Sequence, residues 1–210
     1  LQILKTTKMK TFDVLILGGG VAGMQCALVL GSAKNKVFAS DKKMGIIINQ
    51  KASHLQNALF NNVLGLNPKT LGKDILENGK KQLSELYPDV QQITNEKVFS
   101  VEYFKDESEI VTNKGVYRSK IVVIALNYSK PFSIKGLEKF VIPHKKANLK
   151  KDRIQLQNED YLIKKGLYCC GTIAGIRSQF AIAAGSGATV ATDVLTIWND
   201  GNHVKIHDKA

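Results

Sequence analysis

Three glycines near the start of the chain restrict its fold more than any other feature of the sequence. The three are Gly18, Gly20 and Gly23. They follow a short apolar run at residues 13–17 and open a helix-like stretch at 22–30. In such a strand–turn–helix unit the first glycine permits the tight turn, the second lets the backbone approach a pyrophosphate, and the third lets helix and strand pack closely. The helix N-terminus then offers free amides to the anion, which places Val21 and Ala22 beside the ligand.

An acidic residue follows the next apolar run, and its spacing fits a nucleotide site. Residues 36–40 are expected to form the second strand, with Asp41 directly after it. Asp41 lies about 20 residues beyond the glycine loop, where a carboxylate accepts hydrogen bonds from the ribose hydroxyls of an adenosine. It would repel a ribose phosphate, so we expect FAD or NAD rather than NADP. We include its neighbour Lys42 in the predicted site. The alternative is an unrelated α/β protein in which Asp41 is merely exposed.

The rest of the sequence predicts one α/β domain over residues 11–200, with flexible tails at 1–10 and 201–210. Apolar periodicity and flanking residues predict helices at 70–87 and 178–198. Several short segments have the composition of strands. These segments are 98–104, 108–112, 116–120, 120–125, 154–156 and 167–170.

The predicted strands divide into two groups. The first three form a small antiparallel β-meander, with a turn at 113–115. The apolar run at 120–125 is typical of a buried parallel strand. Together with the glycine loop, these elements predict a Rossmann-like α/β fold with a parallel central sheet. Residues 127–152 show little periodicity and are expected to form a connection rather than a domain.

Charge and cysteine content narrow the classes of partner. The formal net charge is +12, but the lysines are spread along the chain. The densest patch is Lys145, Lys146, Lys150 and Lys151. No aromatic residues alternate with these lysines to stack on bases, so nucleic-acid binding is not expected. A solvated lysine surface is the simpler interpretation, and it would also attract an anionic dinucleotide.

The cysteines and histidines indicate neither a disulfide framework nor a metal site. Cys26, Cys169 and Cys170 have no regular spacing, which favours a reducing, cytoplasmic setting. The adjacent pair is expected to pack in the core, because neighbouring residues of a strand point to opposite faces. No set of histidines, cysteines and carboxylates has metal-ligand spacing. No run reaches the roughly 20 unbroken apolar residues of a membrane span, so no membrane association is expected.

Three segments together resemble a known family. They are residues 13–23, 165–172 and 178–185. The first two are similar to the two FAD motifs of the thioredoxin reductase-like branch of the pyridine nucleotide-disulfide oxidoreductases, and the third is similar to the helix start that faces the flavin. The resemblance implies FAD as the cofactor, held in part by Gly171 and Thr172, with Gln179 and Phe180 nearest the flavin. We also include Val98 among the expected cofactor contacts. A homodimer is a further expectation from the family.

A fourth segment, residues 49–65, is similar to one found in the small-molecule dithiol oxidase relatives of thioredoxin reductase. In those relatives a histidine lies near the flavin, which makes His54 the candidate for a polar group beside the ring. An exposed loop histidine is an equally good interpretation. No residue is identified as catalytic beyond this candidate.

The departures from the family concern the cofactor motif and the electron donor. The family's second Gly-Asp reads Gly171-Thr172, and its Ala-Thr-Gly reads Ala125-Leu126-Asn127. The family's NADPH domain, with its own glycine motif and Cys-x-x-Cys, is replaced by the connection at 127–152. We therefore expect an FAD-binding oxidoreductase that receives electrons from a partner protein or a small reductant. The alternatives are a non-enzymatic FAD-binding or redox-sensing module, or an NAD-binding Rossmann protein.

Overall fold

A computed structural model describes residues 9–49 and 53–207 of the chain. Within these ranges there are three α-helices, α1 (Val21–Ser32), α2 (Gly72–Leu86) and α3 (Phe180–Trp198). The strands are β1 (Lys10–Leu17), β2 (Met44–Ile48), β3 (Leu59–Phe60), β4 (Thr70–Leu71), β5 (Val90–Thr94), β6 (Val98–Phe104), β7 (Glu107–Thr112), β8 (Val116–Ile124), β9 (Val141–Pro143), β10 (Ile154–Leu156), β11 (Leu162–Lys164) and β12 (Leu167–Cys169).

The central sheet has the order β11-β12-β8-β1-β2-β5. The five strands from β12 to β5 are parallel, and β11 pairs antiparallel with β12 at one edge. Parallel strands are buried on both faces and therefore contain almost continuous apolar runs. This confirms the predicted α/β fold with a parallel central sheet.

The meander and the central sheet share one strand. The sequence predicted two strands, at 116–120 and 120–125, but β8 is continuous from Val116 to Ile124. Its first half pairs antiparallel with β7, while its second half pairs with β12. On its other edge β8 pairs with β1 from Tyr117 to Ile124. The meander of β6, β7 and β8 is therefore confirmed, and it is an extension of the sheet rather than a separate unit.

The second strand lies later in the chain than the sequence indicated. Residues 36–40 form turns, and Val37 is almost fully exposed. The strand is β2, and each of its five residues is buried. The run of Ile46, Ile47 and Ile48 can be buried on both faces between β1 and β5, whereas residues 36–40 begin with a lysine and end with a serine. The prediction of a strand at 36–40 was therefore wrong.

The side chains of the sheet alternate between two core layers. Val14 and Ile16 face the layer formed with α1 and α3. Leu15 and Leu17 face the opposite layer, which contains the meander and the connection. This alternation follows from the two-residue period of a strand. The sheet therefore lies between helices on one face and the meander and connection on the other.

The long helix α3 packs one side against α1 and the core. Ser186, Val190 and Val194 are among its buried residues. By length and composition alone, α3 is the one helix in the described part of the chain that is apolar enough to cross a membrane. A core helix passes the same test, and one side of α3 is buried in the layer that it shares with α1.

Five further strands differ from the sequence prediction. Strands β3, β4, β5, β9 and β11 were not predicted, because each has five residues or fewer and depends on a partner strand for its hydrogen bonds. At the ends, β1 begins at Lys10, inside the predicted tail. Val204, in the other predicted tail, is buried against the helical layer. The remaining parts of both tails, 1–8 and 208–210, lie outside the described residues.

Candidate functional site

Two adjoining cavities open at the carboxyl ends of the parallel strands. The larger has a volume of about 320 Å³ and lies between the glycine loop and the start of α3. The smaller, of about 200 Å³, lies between the glycine loop, the start of β6 and the connection. Gly18, Asn49, Leu126 and Asn127 border both. Ligands of open α/β sheets bind at this edge of the sheet, and the volumes suit a small molecule or an extended nucleotide.

The glycine loop fills the space between β1, α1 and β8. Gly18 has a φ of +119°, and a Cβ there would collide with the carbonyl group of Ala125. At Gly23 a Cβ would collide with the carbonyl oxygen of Gly18. At Gly20 a Cβ would meet no atom within 4 Å, because this residue borders the larger cavity. Gly18 and Gly23 therefore shape the loop, while Gly20 leaves its backbone open to a ligand.

The N-terminus of α1 faces the larger cavity. The helix begins at Val21, and Val21 and Ala22 line the cavity wall. The first amides of a helix have no partner inside it and carry the positive end of the helix dipole. No acidic side chain lies in the first turn of α1 to occupy them. This arrangement favours a phosphate group or another anion.

The start of α3 reaches the same cavity from the other side. Gln179 and Phe180 both line the cavity. The Gln179 side-chain oxygen also accepts a hydrogen bond of 3.0 Å from the amide of Ile182, so Gln179 caps the helix. The ring of Phe180 contacts Phe60 edge to face, with centroids 5.2 Å apart. The sequence prediction located Gln179 and Phe180 but missed Phe60.

The turn that follows β12 completes the wall between the two helices. Gly171 has a φ of +75°, and its amide donates a hydrogen bond of 2.8 Å to the hydroxyl group of Ser186 on α3. Thr172 lines the cavity, and its carbonyl oxygen accepts hydrogen bonds from Gly175 and His144. Gly171 and Thr172 therefore lie with the glycine loop around one cavity, and their contact with the cofactor stays a prediction.

His54 also lines the larger cavity. Its ring contacts Tyr128 edge to face at a centroid distance of 5.9 Å, and its Nε2 lies 3.4 Å from the Ser129 hydroxyl. Tyr128 contacts the ring of His144 on its other side, at 5.2 Å. Arg153 lies over the Tyr128 ring at 5.1 Å and donates to the Ser129 hydroxyl. His54 is thus part of a cluster that joins the cavity to the connection.

Asp41 and Lys42 do not line either cavity. They precede β2, whereas the glycine loop lies beyond its carboxyl end, about 16 Å away for a strand of five residues. Asp41 is exposed and pairs with its neighbour Lys42 at 3.1 Å. The prediction that Asp41 ends the second strand was wrong, because that strand is β2. The residue at the carboxyl end of β2 is Asn49, which borders both cavities.

Because Asn49 and not Asp41 follows the second strand, the argument that the site excludes NADP is lost. A neutral amide can hydrogen-bond to a ribose hydroxyl but does not repel a phosphate. The discrimination against NADP that we drew from Asp41 therefore no longer holds. The signal that would have located Asn49 was the run of three isoleucines directly before it, which is more apolar than residues 36–40.

The smaller cavity contains Val98, as well as residues that sequence reasoning missed. Glu96, Lys97 and Phe132 line it. The Glu96 carboxylate is buried and accepts hydrogen bonds from Thr112 at 2.7 Å and Tyr117 at 2.9 Å. Burial and this hydrogen bond raise the pKa of Tyr117 to about 12, so its hydroxyl stays a donor. No local sequence pattern marks these residues, because the meander and the connection bring them together.

The three cysteines lie in the core and not at the site. Cys26, Cys169 and Cys170 are free and buried. Burial raises the pKa of Cys169 to about 12 and raises those of the other two thiols further. These thiols are therefore protonated and poor nucleophiles. Among the described residues, no group of three or more histidines, cysteines and carboxylates could hold a metal ion.

The residues present fit a dinucleotide cofactor that extends across both cavities. The open backbone at Gly20 and the first amides of α1 suit a pyrophosphate, which lies in the middle of such a molecule. The larger cavity, with Phe60, Phe180 and His54, suits an aromatic ring system on one side. The smaller cavity, at Glu96 and Val98, suits the nucleoside on the other.

Known proteins share this fold over most of the chain. A thioredoxin reductase from Gloeobacter violaceus superposes with a TM-score of 0.69 and 17% identity, over 97% of this chain and 100% of its own. A ferredoxin-flavin thioredoxin reductase from Clostridium acetobutylicum superposes with a TM-score of 0.67 and 17% identity, over 91% of this chain and 99% of its own. At these identities the likeness shows a common fold.

Sequence comparison gives the family. A curated relative, ferredoxin–NADP reductase 1 of Bacillus pumilus, is 26% identical over 164 residues, which are 76% of this chain but only 42% of the relative. The family model for pyridine nucleotide-disulphide oxidoreductases matches residues 12–190. This family consists of FAD-binding flavoproteins, which confirms the predicted cofactor. The chain therefore belongs to the pyridine nucleotide-disulphide oxidoreductase family, with the fold of thioredoxin reductase and FAD as its cofactor.

Proposed function

We propose that this chain is an FAD-binding oxidoreductase domain whose flavin is reduced by a donor outside the domain. One observation carries the proposal. Both halves of the predicted cofactor site line one cavity, while the connection between them contains no second glycine motif. The chain spans 42% of the length of its curated relative, so the activity of the whole protein is part of the proposal.

The connection supports an external electron donor. Between β8 and β10 it forms short turns and the strand β9, which pairs with β10. Residues of this connection, including Ser129 and Phe132, line the smaller cavity. The connection therefore lies against the cofactor site itself, at the point in the chain where the family has its NADPH domain. The names of the curated relative and of the Clostridium structure both include ferredoxin, which favours a protein donor.

Each part of the site has a distinct role in this proposal. FAD supplies the redox chemistry when bound, because the cofactor carries the reactive atoms. The first amides of α1 hold its pyrophosphate, and Gly20 leaves room for the approach. The N-terminus of α3 directs a positive dipole end into the larger cavity, where it stabilises negative charge. His54 offers a ring nitrogen at the cavity wall.

The same proposal includes a homodimer and a reducing compartment. The helix α3 exposes Ile182 and Ile197, which supports an apolar contact with a second copy. Three free cysteines, all buried, support a reducing setting such as the cytoplasm.

The test is a spectrum of the purified protein followed by a redox cycle. We expect flavin absorption bands, bleaching of these bands by dithionite, and their return when oxygen or a disulfide is added. NADPH alone should bleach them far more slowly than dithionite. The matched variants are Gly20→Val, which extends into the cavity, and Gly185→Val, whose Cβ also meets open space but which does not line the cavity.

The outcomes separate the proposal from its alternatives. Loss of flavin from Gly20→Val but not from Gly185→Val supports the site. A bound flavin that resists both reduction and reoxidation would show a non-enzymatic module. A colourless protein that binds NAD but not FAD would show a different nucleotide protein. Rapid bleaching by NADPH alone would contradict the external donor.

A further inference from the structure

The connection contains a dense cluster of positive charge. Residues 127–153 include eight lysines and arginines but only two acidic residues, in a chain whose formal net charge is +12. Four of these lysines lie in the loop that joins β9 to β10, at residues 144–153, which we call the basic hairpin. The four are Lys145, Lys146, Lys150 and Lys151, and all are exposed.

The basic hairpin has little negative charge of its own. Its single acidic residue is Asp152, which pairs with Lys130 at 2.7 Å. This pair brings a fifth lysine to the base of the hairpin. None of the four hairpin lysines forms an ion pair with a carboxylate among the described residues. Like charges that are held together repel one another, and an anionic partner relieves that repulsion.

The base of the hairpin is joined to the cofactor cavity. His144, its first residue, donates a hydrogen bond of 3.1 Å to the carbonyl oxygen of Thr172, in the cavity wall. Arg153, its last residue, contacts Tyr128 and Ser129, which in turn contact His54. A molecule bound to the hairpin would therefore lie beside the cavity and not on a remote surface.

We propose that the basic hairpin is a docking surface for an acidic protein that donates electrons to the flavin. This inference rests on the proposed function, which requires a donor from outside the domain. On docking, the reduced donor is oxidised and the bound cofactor is reduced by the same electrons, with protons drawn from solvent. The four lysines attract the acidic protein and orient it with its redox group towards the cavity.

The chemistry of the hairpin favours a protein over a nucleic acid. Proteins that bind single strands place aromatic rings among their basic residues so that bases can stack. The hairpin contains no phenylalanine, tyrosine or tryptophan. A role in nucleic-acid binding would also give no reason for the hairpin to lie beside the proposed redox site.

Direct binding of a ferredoxin of net negative charge tests the proposal. The measurement is calorimetry with the FAD-loaded protein at low and at raised salt. One variant changes the four hairpin lysines to glutamine. Its matched control changes four exposed lysines that line neither cavity. The control positions are Lys36, Lys105, Lys165 and Lys205.

We expect salt to weaken the binding, as it does for surface charge pairs. The hairpin variant should bind roughly tenfold more weakly or worse, and the control should change by less than about threefold. If both variants lose the same affinity for ferredoxin, the attraction comes from the net positive charge of the whole protein and not from the hairpin, which would overturn the proposal. Absence of binding, or binding that salt does not affect, would overturn it as well. So would tighter, hairpin-dependent binding of a short DNA duplex.

A separate measurement distinguishes this proposal from the proposed function. Dithionite reduces a flavin without docking, so both lysine variants should be bleached like the original protein. If dithionite fails on all three proteins, the proposed function fails. If dithionite succeeds but ferredoxin binds without regard to the hairpin, only the docking surface fails.

Discussion

The buried imidazole of His144 donates a hydrogen bond from Nε2 to the backbone carbonyl oxygen of Thr172, over 3.1 Å. The proton of the neutral ring lies on Nε2, because Nδ1 accepts a hydrogen bond from the backbone amide of Lys146 and so carries no proton itself. Twenty-eight positions separate the two residues in the sequence. The connection thereby holds the wall of the larger cavity.

Replacement of His144 should weaken FAD binding. In His144→Ala the carbonyl group of Thr172 loses a buried partner, which costs about 1–3 kcal/mol and loosens the cavity wall. We expect the dissociation constant for FAD to rise by roughly tenfold, since about 1.4 kcal/mol corresponds to that factor. Fluorescence titration of the FAD-free protein measures it. His203→Ala, at an exposed position, is the control and should leave the affinity unchanged.

Two glycines of the same loop should respond differently to alanine. Gly18→Ala places a Cβ against the carbonyl group of Ala125 at a positive φ, so we expect a loss of about 2–4 kcal/mol in the free energy of unfolding. In Gly20→Ala the new Cβ meets no atom within 4 Å, so the free energy of unfolding should change by less than about 1 kcal/mol. Denaturant unfolding without FAD measures both. Equal losses would contradict the described loop geometry.

Asn49, and not Asp41, should matter for the nucleotide. Asn49 borders both cavities, while Asp41 lies at the opposite end of β2. Asn49→Ala should weaken FAD binding by roughly tenfold, the usual effect of losing one hydrogen bond. Asp41→Ala removes an exposed carboxylate that pairs with its neighbour Lys42, and it should change affinity by less than about twofold. If a titration with FAD shows a larger loss of affinity for Asp41→Ala than for Asn49→Ala, the sequence-based prediction that Asp41 binds the nucleotide would be restored.

The stability contributed by Asp13 should depend on pH. Burial alone would raise the pKa of its carboxyl group, but hydrogen bonds from Lys120 and the Lys43 amide, with nearby lysine charges, outweigh burial and lower it. The stabilisation is therefore complete above the ordinary pKa of about 4 and is lost as pH falls through the lowered value.

The corresponding variant is Asp13→Asn. Because Lys120 is largely exposed, we expect a loss of only about 1 kcal/mol at neutral pH. The difference from the original protein should shrink in acid. Asp106→Asn, at an exposed turn, is the control. A difference that grows as pH falls below about 4 would contradict the assigned direction of the pKa.

The cysteines should be unreactive in the folded protein. Burial raises the pKa of Cys169 to about 12, and its two companions are fully buried. A thiol reagent should therefore detect no fast-reacting group in the native state and three groups after unfolding. A rapid reaction of any thiol in the native protein would show that one cysteine reaches the surface.

The sequence by itself determined the parts of this protein that depend on neighbouring residues. The glycine loop, the helix that follows it, the meander turn and the start of α3 each follow from local spacing and backbone preference. The second half of the site, at Gly171 and Thr172, came from the family resemblance. The fold class and the cofactor were therefore predictable from the sequence, because both are encoded in short contiguous motifs.

Only the tertiary structure decided which distant residues meet. The segment that pairs with β1 is β2, because its residues can be buried between β1 and β5. As a result Asn49, and not Asp41, lies at the edge of the sheet that borders both cavities. The contacts of His144 and Glu96 likewise depend on segments that are far apart in the chain. Local patterns carry no information about such pairs, because their energy arises from hydrogen bonds and burial that exist only after the chain has folded.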